Sequence, residues 1–207
     1  MNNVLLHPTY FPNISHFVGM VKADKVVFER HDNFEKQTYR TRTYIYGANG
    51  KLLLNIPVEY TQKKRQLYRD VRISNTTDWQ SLHWKSMQSA YLSSPFFEFY
   101  EDDLRPLFET KTDFIYDFNI ACFQTICECL QLEIEPSFTK VFDKSPQEQL
   151  DLRGMVNSKK EIAQSFDRYI QVFDDKHGFI PNLSILDLLF SEGPNSLNYL
   201  ESQELNI

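Results

Sequence analysis

The first 28 residues leave this chain few ways to fold. Residues 4–6, Val-Leu-Leu, form a short apolar run of strand character. Residues 7–12, His-Pro-Thr-Tyr-Phe-Pro, cannot be helical, because each proline pushes the residue before it out of the helical region. Asn13 then stands as an N-cap, followed by Ile14, Phe17, Val18 and Val21 on one helical face. Residues 25–28, Lys-Val-Val-Phe, read as a second buried strand. Strand, helix and strand in so short a span predict a βαβ unit with a right-handed crossover.

Beyond it, residues 41–46 and 52–58 flank Ala48-Asn49-Gly50, and Asn-Gly between β-rich runs predicts a hairpin. Residues 62–65 read as a polar loop, and residues 68–73 alternate as a half-exposed strand does. The chain then turns helical. Asp78 is expected to cap a helix through Trp79, Leu82, Met87 and Tyr91. Ser94-Pro95 starts another, with the proline in its first turn. Asp113 caps a third, through Phe114, Phe118, Cys122 and Leu130. Residues 138–142 and 169–173 are strand candidates, and residues 145–160 read as helix-poor linker. Asn182 caps a last helix over residues 183–190, which Gly193-Pro194 stops. The expected class is α/β or α+β. The βαβ unit and the hairpin form a mixed sheet, and the second half is mostly helical. One domain is expected over residues 1–207, with a sheet-rich part (1–75), a helical part (76–135) and closing strands and helix (136–207).

Apolar residues make up 42% of the chain and aromatics 14%, enough for a sizeable core and inconsistent with disorder. The net charge of −6 argues against a broad basic face for nucleic acid. The absence of a signal-like start and of any long apolar run predicts a cytoplasmic protein without a membrane span. A homo-oligomer is left open. Cys122, Cys127 and Cys129 match neither C-x-x-C nor a zinc spacing, and read as buried thiols. No metal and no definite cofactor is expected.

The chemistry concentrates between residues 30 and 42, R-H-D-N-F-E-K-Q-T-Y-R-T-R. Forked cations, an acid, amides and an imidazole within a few residues suit a polar, anionic small molecule. Lys63, Lys64, Arg65, Arg69 and Arg72 add positive charge to the same half. In open α/β sheets ligands bind beyond the carboxyl ends of the strands. His7, Thr9 and Tyr10 follow the first strand, and His31 and Asp32 follow the second. On a strand, Arg40 and Arg42 share a face. His7, Tyr10, Asp32, Arg40 and Arg42 are therefore expected to line one concave pocket. His7, His31 and Asp32 are the catalytic candidates. Thr9, Tyr10, Lys36, Arg40, Arg42, His83 and Tyr91 are candidates for substrate binding. Asn182 and Asp187 are assigned structural roles, Asp187 as a buried partner of an arginine such as Arg40 or Arg42.

The 7–12 turn, the basic tract and the closing Pro-Asn-Leu-Ser-Ile-Leu-Asp-Leu-Leu-Phe at 181–190 together resemble the WbqC-like family of bacterial proteins. That family opens with Q-P-x-Y-x-P, continues with D-D-V-Q-F-x-K and an N-R pair, and carries W-x-x-x-H-x-K and A-Y-x-x-x-P-x-F segments. The corresponding residues here are 31–36, Thr41-Arg42, 79–85 and 90–97. The family's opening Gln is His7 here, the first Asp of its acidic pair is His31, and the Asn before its Arg is Thr41. The stretch from 142 to 168 lacks a glycine-rich segment. The resemblance implies a transferase of surface-polysaccharide biosynthesis that passes a glycyl or similar acyl group, from a donor the sequence does not identify, to a nucleotide-linked amino sugar. Two alternatives stand beside it. One is a nucleotidyltransferase, since Asn13-Ile-Ser-His16 sits where such enzymes carry H-x-G-H. The other is a non-catalytic binder of an anionic metabolite or a partner protein.

Overall fold

A computed structural model describes residues 3–60 and 65–207. The polar loop expected at 62–65 falls, apart from Arg65, outside the described residues, as do Lys63 and Lys64. Strand β1 (Asn3–Leu6), helix α1 (Ile14–Val21) and strand β2 (Lys25–Phe28) form the expected βαβ unit. Residues 3–6 pair in parallel with 25–28. The Asn13 side chain accepts from the His16 backbone N–H, one of the donors that every helix start leaves orphaned.

Strands β3 (Arg42–Gly47) and β4 (Gly50–Asn55) make the hairpin. Ala48 and Asn49 form its turn, and Gly50 takes φ +96°. Gly50 has open space around its α-carbon, so only backbone strain opposes a side chain there. Gly50→Ala should lower stability by about 1–2 kcal/mol, read as a shifted denaturation midpoint. An unchanged midpoint would show that the turn relaxes. The hairpin does not extend the parallel sheet as expected, but forms a sheet of its own. A further two-stranded pair joins β5 (Val58–Glu59) and β6 (Arg72–Ile73). Residues 68–70, expected in a strand, coil into a 3₁₀ turn that brings the Tyr68 ring inward.

Helices α2 (Trp79–Tyr91), α3 (Phe97–Glu109) and α4 (Ile115–Cys129) follow. Asp78 sits at the N-cap of α2 but makes no side-chain capping bond. Phe114 takes the cap position of α4 in place of Asp113. The parallel sheet is completed by two-residue strands, β7 (Ser137–Phe138) on β2 and β8 (Leu150–Asp151) on β1, giving the order β7-β2-β1-β8. Residues 169–173 are not a strand. They run as irregular chain into the short helix α5 (Asp174–His177). Helix α6 (Ile185–Glu192) is capped by Ser184, not Asn182. It ends at Gly193, but a 3₁₀ turn and helix α7 (Ser196–Ser202) continue beyond the expected stop.

The core lies between the sheet, α1, α4 and α6. Phe28 of β2 meets Phe123 of α4 edge-on, with ring centroids 5.0 Å apart. Helix α6 is tied to the start of α1 by Ile14 N–H to Leu183 C=O (3.0 Å) and Ile185 N–H to Pro12 C=O (2.9 Å). Among the described residues, no helix is long and apolar enough to cross a membrane.

Candidate functional site

Because β1, β2, β7 and β8 run parallel, their carboxyl ends share one rim. His7 follows β1, Glu29 follows β2, Thr139 follows β7, and Asp151 and Arg153 end and follow β8. The 29–42 excursion returns Asp32 and Arg40 to the same rim. There Arg40 Nη2 stands 2.8 Å from His7 Nε2 and donates to Asp32 Oδ2 at 2.9 Å. His7 Nε2 lies 3.1 Å from the same Asp32 oxygen. His7 and Arg40 are buried, while the Asp32 side chain is 24% exposed and is the face of the triad nearest solvent.

A second polar chain adjoins the first. Glu29 Oε1 accepts from the His31 backbone N–H (2.7 Å) and the Thr139 hydroxyl (2.8 Å), and Glu29 Oε2 accepts from Arg153 Nη1 (3.2 Å). Arg153 Nη2 donates to Asp151 Oδ2 at 2.7 Å. Glu29, buried, is thus fully partnered, as a carboxylate inside a protein must be.

Burial, assisted by the Arg40 charge and only partly opposed by Asp32, lowers the His7 pKa to about 4. The ring is therefore neutral near pH 7. Burial would push Asp32 up, but the His7 contact and the Arg40 charge outweigh it and hold its carboxyl below the usual range. The neutral His7 ring has one proton for two nitrogens. On Nε2 the proton goes to Asp32 and leaves Nδ1 a bare lone pair; on Nδ1 it leaves Nε2 to accept from Arg40. In both cases Nδ1 has no partner among the described residues. Arg40 Nε and Nη1, buried as well, also lack acceptors there, which leaves three N–H donors unused. The Arg40 guanidinium is held against the Tyr68 ring, 5.2 Å from its centroid, and its backbone carbonyl accepts from Asn119 Nδ2 at 2.8 Å.

Of the residues expected in one pocket, His7, Asp32 and Arg40 come together. Tyr10 does not join them. It is fully buried, and its hydroxyl meets His83 Nδ1 at 2.9 Å, so Tyr10 and His83 form an interior pair rather than a rim surface. Thr9 is likewise inaccessible. Tyr91 is a core residue, bonded to Asp187 and accepting from the Tyr46 N–H. Arg42 also departs, because Arg40 lies in the turn before β3 and not on a strand, so no common face exists. Arg42 and Lys36 line a separate groove of about 270 Å³ with Tyr60, over whose ring the Lys36 ammonium sits. The His31 ring turns from the triad toward Arg69, with Nδ1 and Nη1 3.3 Å apart. Asp187 pairs with no arginine. Its acceptors serve Tyr91 (2.8 Å), Tyr169 (2.6 Å) and Gln171 (2.7 Å). Asn182, with φ +56°, accepts from the Ser15 N–H at 2.8 Å and so secures α1, not α6.

The sequence does not single out Glu29, Asp151 and Arg153, which the fold brings to the rim. Glu29 carried the same strand-end signal as His7. Asp151 ends, and Arg153 follows, a two-residue strand with no readable period. The cysteines are unsuited to attack, since burial pushes Cys127 and Cys129 up to about 12. Among the described residues, no three or more His, Cys, Asp or Glu gather in a metal-holding cluster.

A curated relative, "Uncharacterized protein Rv1507c" of Mycobacterium tuberculosis, is 22% identical over 222 residues, covering 95% of this chain and 96% of the relative. No solved structure matches. The WbqC-like protein family matches residues 7–165, which begin at His7 and include both polar chains of the rim, and the chain belongs to that family.

Proposed function

We propose that this protein is a small-molecule transferase that joins an acyl group, such as glycyl, to the amino group of a nucleotide-linked sugar. The observation that carries the reading is the His7–Asp32–Arg40 triad at the carboxyl rim of a parallel sheet. With its proton on Nε2 facing Asp32, His7 keeps the Nδ1 lone pair that takes the proton of the attacking amine; the ring is buried, so the amine must approach past Asp32, the exposed member of the triad. The nitrogen forms a bond to the acyl carbon, the bond from that carbon to the donor's leaving group breaks, and the amine proton passes to His7. Asp32 orients the ring and stabilises the imidazolium. Arg40, buried against Tyr68, fixes the Asp32 carboxylate and adds positive charge behind the rim that favours an anionic substrate group. General-base help of this kind is typically worth about two to four powers of ten in rate.

Nucleotidyl transfer is less well supported. A triphosphate would need the start of α1, and there Asn13 Nδ2 already donates to Glu161 Oε1 at 3.2 Å. A negative carboxylate in that place repels phosphate.

The test is a mass-spectrometric assay with nucleotide-linked amino sugars and glycyl or acetyl donors. The expected product is the acceptor with one acyl group added. His7→Gln should reduce its formation by about two powers of ten or more while the protein stays folded. Equal rates for His7→Gln and the wild type would remove His7 as the base.

A further inference from the structure

The link between β7 and β8 carries a second site. These strands are the two edges of the parallel sheet, so residues 139–149 must cross the sheet to join them. Such crossovers are usually helices, and all-parallel sheets are usually covered on both faces. Here Val4, Leu6, Val26 and Phe28 face the main core, while Leu5 and Val27 alternate to the other side and stand outside it. The crossover that covers Leu5 and Val27 is irregular chain, and it borders a half-open chamber of about 660 Å³. That volume falls within the range of small-molecule sites, about 300–1,000 Å³.

We propose that this chamber is a carbohydrate-binding site. Its walls carry the side-chain amides of Asn3, Gln147 and Gln149, which both donate and accept, as sugar hydroxyls do. The lining carries Lys25 and Lys140 together with Asp143 and Glu148, and Glu29 is taken by Arg153, so it has no excess charge to select an ion. Leu5 and Val27 are closed off beneath the lining, and the partly exposed ring of Phe138 offers the apolar surface that the C–H face of a pyranose needs. The chamber ends at Glu29 and Thr139, which also belong to the rim network. A sugar seated there would extend a substituent toward His7, a placement that rests on the transfer reading, whereas the binding itself does not.

The experiment is a titration of the isotope-labelled protein with the methyl glycosides of glucose, galactose and mannose and with N-acetylglucosamine, followed by backbone amide shifts. At least one sugar should shift Leu5, Val27 and Thr139. Lys25→Ala combined with Gln147→Ala removes exposed chamber groups without touching the core, and should weaken that sugar by about tenfold, or about 1.4 kcal/mol. No shift at these amides with any of the four sugars would overturn the proposal. Unchanged affinity in the double variant would do so too, as would shifts produced there by a nucleoside diphosphate but by no sugar. Sugar binding in the chamber, without product in the transfer assay, would uphold the carbohydrate site and remove the acyl-transfer reading alone.

Discussion

Acidification from about pH 7 to about pH 5 should destabilise this protein by several kcal/mol, through three histidines buried in neutral form. Burial lowers His7 to about 4, with Arg40 assisting and Asp32 opposing. It lowers His16 to about 3, with His7 adding to the effect, and His83 to about 4, partly offset by a hydrogen bond with the Asn55 backbone. In the unfolded chain each returns to about 6.5. Between the folded and unfolded values the unfolded chain holds protons that the folded one does not, so stability falls as pH drops through about 6.5 and continues to fall toward about 4. Each histidine then contributes a loss of about 2 kcal/mol at about pH 5, and the three together about 6 kcal/mol, comparable to the whole stability of many domains. The lowered carboxyls of Asp32 and Asp151 stabilise the fold above the usual carboxylate range and lose that contribution only at lower pH. Asp187, raised by burial, opposes the trend, because its folded form binds a proton more readily than its unfolded form. Urea midpoints at the two pH values should separate clearly, and His83→Gln should narrow the gap. Coincident midpoints would mean that the imidazoles are hydrated or already protonated in the folded state.

The same residues show which parts of the molecule can be read from its sequence. The βαβ unit was legible because Asn13 announces a helix start, prolines bar helix before it, and apolar runs bound it on both sides. His7 and Asp32 followed from strand ends alone. Strand alternation puts Arg40 beside Arg42 only if the strand reaches back through residues 40 and 41. Those residues form a turn, and the turn sends one guanidinium into the rim and the other into a different groove. Strands β7 and β8 have two residues each, too few for a period to be seen, so Asp151, Arg153 and the chamber roof stayed hidden inside an apparent linker. Residues 169–173 have strand composition, but their side chains answer a different demand. Tyr169 and Gln171 supply donors to a carboxylate sixteen or more residues away, and no local pattern encodes such a need.

That carboxylate governs the second large effect expected. Asp187→Ala should lower stability by about 3–5 kcal/mol, although no cation is lost. Asp187 is fully buried on α6 and receives three donors, from Tyr91 at 2.8 Å, Tyr169 at 2.6 Å and Gln171 at 2.7 Å. Alanine would leave two hydroxyls and an amide facing an empty space. Each buried donor without an acceptor costs about 1–3 kcal/mol. Part of this is recoverable, since Gln171 also donates to the Ile180 carbonyl at 3.0 Å and water can enter the vacated volume. The Tyr91 hydroxyl has a second role, accepting from the Tyr46 N–H at 2.9 Å, so its displacement would loosen β3 as well as α6. Asp187→Asn keeps the shape and one acceptor oxygen. Turned toward Tyr169 and Gln171, that oxygen satisfies two of the three donors, while the new amide donates to Tyr91. The asparagine variant should therefore lose markedly less than the alanine variant, and its stability should no longer carry the Asp187 contribution at low pH. Chemical denaturation of the two variants distinguishes the cases. Equal losses would show that negative charge, not hydrogen-bond acceptance, is what the tyrosines require, and a loss below about 0.5 kcal/mol in both would mean that the buried network contributes nothing to holding α6 against the hairpin.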